Sequence, residues 1–149
     1  MKRYIHEVEQ SSIFDTIEAM AQINPQLCEK LTIRVDVVQG GEGPVPHVHV
    51  YHDKTLNPKK CSYVRLDKAE YSTHHKDNVP LPSKLKKQFL KVMDTIWPKY
   101  IIETSTGYRS ATGYEAAVGT WVDTYEHGDY SKFNLDGNGD LIPLDYSNL

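Results

Sequence analysis

The stretch Pro46-His47-Val48-His49-Val50-Tyr51-His52-Asp53 alternates side-chain character at the two-residue period of a β-strand. On that period His47, His49 and Tyr51 project to one face, and Val48, Val50 and His52 to the other. The segments on either side keep the same rhythm. Leu31-Thr32-Ile33-Arg34-Val35-Asp36-Val37 turns Leu31, Ile33, Val35 and Val37 toward a core and Thr32, Arg34 and Asp36 outward. Ser62-Tyr63-Val64-Arg65-Leu66-Asp67 turns Val64 and Leu66 inward, with Tyr63 and Arg65 outward. Gly40-Gly41-Glu42-Gly43-Pro44 and the polar run from Thr55 to Lys60 supply the turns between them, and a short further strand is expected around Glu70 to Thr73. With the strands paired in this register, Arg34, Asp36, His47, His49, Tyr51, Tyr63 and Arg65 form one polar, solvent-facing row, and His52 falls on the inward side.

Helical spacing takes over on both flanks. Ser11 and Ser12 offer caps to a helix carrying Phe14, Ile17, Met20 and Ala21, ended near Asn24-Pro25. Leu81-Pro82-Ser83 opens a second helix, because proline suits a first turn whose N–H groups have no partner. Its apolar stripe is Leu85, Phe89, Val92, Met93 and Ile96, and Pro98 stops it after Trp97. Tyr100 to Glu103 is expected as a strand, and Gly107-Tyr108-Arg109 as a turn or strand start. Thr112 then caps a helix with Tyr114, Ala117, Val118, Trp121, Val122 and Tyr125 on one side, closed by Gly128. The two tryptophans belong to the core. The pattern predicts an α+β fold: a mainly antiparallel sheet of four to six strands, with two to three helices packed on its apolar face. One domain is expected over 1–149, with a strand–helix core at 31–97 and a polar C-terminal tail at 128–149.

Composition narrows the function classes. A formal charge of −3 argues against a surface that coats nucleic acid. No segment has the apolar length of a membrane span. The opening Met1 to Glu7 has no apolar run or cleavage-site pattern behind it, which predicts a cytoplasmic protein with Cys28 and Cys61 as reduced thiols.

The order strand, turn, Pro46-His47-Val48-His49 strand, alternating strand and Leu81-Pro82 helix start resembles a family of small bacterial proteins catalogued as domain of unknown function 4160. The resemblance covers about residues 31–97. Val45 stands where the family has a first proline, and this chain adds an N-terminal helix and a C-terminal extension. What the resemblance implies is a component of a toxin–antitoxin system or mobile element that works beside a small regulatory partner.

The histidine strand supports three chemistries on its own residues. His47 and His49 with Asp36 or Asp53 supply the nitrogen and oxygen donors that zinc or another divalent transition metal accepts. Without a metal, an imidazole acting as acid or base, Arg34 or Arg65 on a phosphate, and Tyr51 or Tyr63 assisting would make a catalytic set able to cleave RNA. The third reading makes the same side chains ordinary cross-strand pairs. Outside this strand, Asn134 to Asp145 resembles the calcium loop of the EF-hand family, with Asn134, Asp136, Asn138 and Asp145 as the oxygen donors. Pro143 interrupts that pattern, and Asp136-Gly137-Asn138-Gly139 is equally a tight-turn sequence. Lys84, Lys86, Lys87 and Lys91 form a basic helix face that suits RNA or an acidic partner, or simply solvent. Arg109 to Gly113 precedes a helix and offers donors to an anion or to the helix's own cap. The leading functional expectation is a protein-binding regulatory component of a bacterial or phage mobile element. Its alternative is a small hydrolase or nuclease built on His47 and His49.

Overall fold

A computed structural model describes residues 3–6, 31–35, 45–73 and 78–149, with the backbone alone for 3–6, 98 and 99. The elements are β1 (Arg3–His6), β2 (Thr32–Arg34), β3 (His47–Tyr51), β4 (Cys61–Arg65), α1 (Ser83–Asp94), β5 (Ile96–Thr104), β6 (Gly107–Thr112) and α2 (Gly113–Tyr125). The class is α+β. The expectation of one sheet needs amendment, because among the described residues six strands divide into two antiparallel sheets, ordered β1-β5-β6 and β2-β3-β4. The expected helix over Phe14 to Ala21, Cys28, Asp36, the 40–44 turn and His74-His75 lie outside the described residues.

The β2-β3-β4 sheet forms in the anticipated register. Arg34 pairs with His49, His49 with Tyr63, and His47 with Arg65. Val48 faces Val64 across the strands, and both are fully buried, as is Val50. Between β3 and β4 a 3-10 turn at Pro58–Lys60 is capped by the Asn57 side chain, which accepts from Lys59 N at 3.0 Å. The free side of β4 is closed by residues 70–72 and by Asn78. The Asn78 amide accepts from Tyr63 N at 3.0 Å and donates to Tyr63 O and Ser72 O.

α1 buries Leu85, Phe89, Val92 and Met93, the stripe expected from its spacing. Ile96 does not belong to it. The helix ends at Asp94, Thr95 N bonds back to Lys91 O and Val92 O, and Ile96 opens β5 with 60% of its surface exposed. Pro98 explains the early stop, because a proline pushes the residue before it into extended backbone, and Trp97 is that residue. A register shift between Trp97 and Ile101 accommodates the proline within β5.

α2 departs further from its expected one-sided stripe. Every residue from Gly113 to Val122 is buried. The helix packs against α1, β1, β5 and β6, and Tyr114 Oη donates to Leu66 O at 2.6 Å, which ties it to the chain leaving β4. A helix enclosed on all sides needs small or apolar residues all round, and Ala116, Ala117, Gly119 and Thr120 meet that need. Thr120 places its hydroxyl on Ala116 O at 2.7 Å. The segment after α2 is polar in sequence, yet it sends Tyr130, Phe133, Leu141 and Tyr146 into the same core.

Candidate functional site

The row on β3 that sequence alternation turns toward water is buried. His47 is 1% exposed and His49 6%, and Tyr51 and Tyr63 are likewise covered. His47 Nδ1 lies 2.9 Å from Val45 O, so the ring donates from that nitrogen. The two imidazoles stack with centroids 5.3 Å apart and planes at 16°. Trp121 of α2 meets His47 at 5.3 Å, and Tyr63 meets His49 edge-on at 4.8 Å. His49 Nδ1 lies 3.4 Å from Tyr51 Oη. The assembly is an aromatic–imidazole stack wedged between a sheet and a helix. Its correction of the solvent-facing expectation has a plain cause: alternation fixes which side chains share a face but not what packs over it, and at His47 that is Trp121, far along the chain.

The arginines on this face are differently placed. Arg34 is half-buried opposite His49. Arg65 pairs with its own neighbour, donating to both Asp67 oxygens at 2.8 and 2.7 Å, and that bonding raises its already high pKa. A guanidinium held in this fork is already matched to a carboxylate. Asp36, the expected third metal donor, lies outside the described residues, and Asp53 accepts from Thr55 N and Oγ1. Among the described residues no three His, Cys, Asp or Glu side chains gather into a metal-binding group.

On the other face of β3 is a contact that spacing did not anticipate. His52 Nε2 lies 2.8 Å from Ser62 Oγ, and Ser62 Oγ donates to Val79 O. The composition mimics the histidine–serine pair of nucleophilic catalysis. Its polarity is opposite, because the serine proton goes to a carbonyl and the imidazole donates. Ser62 is fully buried, so the pair ties β4 to the Val79 segment.

The residues ahead of α2 resolve in favour of capping. Thr112 Oγ1 accepts from Glu115 N at 3.2 Å, and Glu115 Oε1 accepts from Thr112 N at 3.0 Å. Arg109 completes the site with a two-pronged contact to Glu115 at 2.8 and 2.6 Å. The anion held there is thus the protein's own carboxylate, buried at the helix start.

Asn134 to Asp145 forms a tight turn closed by a bridge between Leu135 and Leu141. Asp136 Oδ1 accepts from Asn138 N and Asp140 N at 2.8 and 3.0 Å, and Asn134 O accepts from Ile142 N. Asp145 turns to Ser147 N at 3.0 Å, and Asp140 to Ser105. Of the expected calcium donors, Asp136 Oδ1 is occupied by the loop's own amides. On α1, Lys84, Lys87 and Lys91 are exposed, whereas Lys86 reaches Leu149 O at 3.0 Å.

No family model, curated protein or solved structure matches the chain. Among the described residues no helix is long and apolar enough to cross a membrane.

Proposed function

We propose that the protein is a non-catalytic interaction module, which docks an extended strand of another protein against the β5–β6 hairpin, and that it serves a regulatory role in a bacterial or phage mobile element. The observation that carries the docking reading is the contrast between two sheet margins. The margin at β4 is closed by Asn78 and residues 70–72, while among the described residues β6 is bonded to a strand on one side alone. Strand margins of this kind template the addition of another strand. β6 also presents Tyr108, 63% exposed, on the same face as Ile96. The pairings Ile96–Thr112, Ile101–Ser110 and Glu103–Tyr108 put these side chains on the face opposite Trp97, Ile102 and Ala111, which are buried. An exposed aromatic side chain on β6 and an exposed aliphatic one on β5, on one face of the hairpin, suit apolar side chains of an incoming strand.

The hydrolytic alternative draws no support from the geometry. A general acid or base has to reach its substrate within hydrogen-bonding distance, and both imidazoles are enclosed by Trp121, Tyr63 and Tyr51.

Site-specific photo-crosslinking tests the docking. A crosslinker at Tyr108 in the native host is expected to capture one partner in stoichiometric yield, and a crosslinker at the exposed Ser131 is not. Tyr108→Lys is expected to abolish binding of that purified partner while leaving the unfolding transition in place, because lysine on an open strand margin repels pairing. Equal capture at both positions, or undiminished binding by Tyr108→Lys, overturns the reading.

A further inference from the structure

The tight turn Asp136-Gly137-Asn138-Gly139 holds a pair of groups that can react with each other. The amide carbon of an asparagine is open to attack by the backbone nitrogen of the next residue, and glycine, with no side chain, leaves that approach clear. The structure separates the described asparagines on this criterion. Asn57 precedes Pro58, whose nitrogen has no proton to lose. The Asn78 amide is locked by its bonds to Tyr63 N, Tyr63 O and Ser72 O. Asn134 and Asn148 are exposed, but each precedes a leucine. Asn138 is exposed, and Gly139 follows it at φ +81° with open space where a Cβ would stand.

The turn itself restrains the reaction. Gly139 N donates to Asp136 O at 3.0 Å, which engages the nitrogen that would attack. Asp136 Oδ1 tightens the same turn by accepting from Asn138 N and Asp140 N at 2.8 and 3.0 Å. An exposed turn closed by its own amides opens locally at low cost, and each opening releases the nitrogen. Asp136 therefore sets the pace.

We propose that Asn138 is a site of spontaneous modification, converted to aspartate and isoaspartate through a succinimide formed with Gly139. Gly139 N gives its proton to a solvent base and bonds to Asn138 Cγ. The Cγ–Nδ2 bond breaks, and the departing nitrogen takes up a proton and leaves as ammonia. Water then opens the ring at either carbonyl, and opening at the main-chain carbonyl routes the backbone through Cβ and Cγ. That extra methylene falls between Asp136 and Asp140, whose N and O are bonded at 2.8 Å. Asp140 in turn holds the β5–β6 turn through Ser105 N and Oγ at 2.9 and 2.5 Å. The isoaspartate product loosens that hold. Nothing in this chemistry draws on the docking reading, since Tyr108 takes no part in it.

Prolonged incubation of the full chain at mildly alkaline pH, followed by peptide mapping with mass detection, tests the assignment. The peptide with Asn138 is expected to gain the mass of an amide-to-acid conversion and to split into two products of equal mass, while those with Asn78, Asn134 and Asn148 keep theirs. Asp136→Ala should speed the conversion roughly fivefold, the effect of losing one bond of ordinary strength. Asn138→Gln should abolish it, because the longer side chain does not close the same ring. The product, separated by its added charge, should show faster hydrogen exchange at the Ser105 amide. Absence of conversion at Asn138, or earlier conversion at Asn134 or Asn148, overturns the proposal. An unchanged rate in Asp136→Ala overturns the control by the turn, and unchanged exchange at Ser105 overturns the loosening. Should Asp136→Ala fail to fold, the wild-type chain in urea decides the same question: faster conversion than in the folded chain is expected, and an equal rate overturns the control.

Discussion

Ser62 has one hydroxyl proton, and the carbonyl of Val79 takes it. The oxygen is then left to accept, so the network assigns the proton of His52 to Nε2 and keeps the ring neutral. Burial lowers the His52 pKa from its usual 6.5, against the opposing pull of the neighbouring Asp53 charge. A histidine whose folded pKa is depressed favours the folded state above the unfolded pKa, and that contribution is lost as pH falls from about 6.5 through the folded value, because the unfolded chain takes up the proton first. Nitrogen-15 correlation spectra are expected to show His52 as the Nε2–H tautomer with a midpoint below 6.5. A proton on Nδ1, or a midpoint above the usual value, would reverse the polarity assigned to the pair. The same reasoning separates His52 from His47, which donates from Nδ1 to Val45 O instead. Two histidines five residues apart thus donate from different ring nitrogens because different carbonyls and hydroxyls meet them.

At the scale of the element, the start of α2 depends on one carboxylate with three donors. Glu115 accepts from Thr112 N and from both arms of Arg109, and it is buried while the arginine is half exposed. Removing the hydroxyl in Thr112→Ala should cost about 1 kcal/mol, the usual value of a cap. Arg109→Ala should cost roughly 1–3 kcal/mol, because it strands most of the bonding capacity of a buried carboxylate. The two changes share Glu115, so a double-mutant cycle by urea denaturation is expected to be non-additive. Strict additivity would mean that the arginine contact is a solvated pair with no bearing on the helix start. This cap was readable from Thr112 in the sequence, whereas its arginine was not, since nothing in the spacing from Arg109 to Glu115 distinguishes a fork from an exposed side chain. The strands β2, β3 and β4 were equally readable, because a two-residue period survives any environment. The covering of their polar row was not, because it depends on residues distant in sequence, such as Trp121 of α2 over His47. Nor was the enclosure of α2, since alanine, glycine and threonine have no strong preference between core and surface and are placed there by neighbours. The end of α1 was misplaced by three residues, Asp94 instead of Trp97, for a local reason, the preference for extended backbone imposed by Pro98.

At the scale of the molecule, the chain after α2 works as a strap. Tyr146 sets its ring edge-on to Phe89 of α1 at 5.3 Å and to Tyr114 of α2 at 6.2 Å, and its hydroxyl donates to Arg65 O at the end of β4 at 2.5 Å. One side chain thereby joins the β2-β3-β4 sheet to both helices, and burial pushes its phenol pKa far up, so it remains a donor across the physiological range. Lys86 Nζ on Leu149 O ties the same segment to α1 a second time. Tyr146→Phe keeps the ring contacts and removes only the hydrogen bond, for an expected loss of about 1 kcal/mol. Tyr146→Ala empties the space between the helices, for an expected loss of about 3–5 kcal/mol. Urea denaturation of both variants separates the two contributions, provided the slope of the transition is unchanged. A cost for Tyr146→Ala no larger than that for Tyr146→Phe would mean that the strap rests on the core without contributing to it. A large difference between them would place the segment after α2 within the cooperative unit, unfolding together with the two helices it joins.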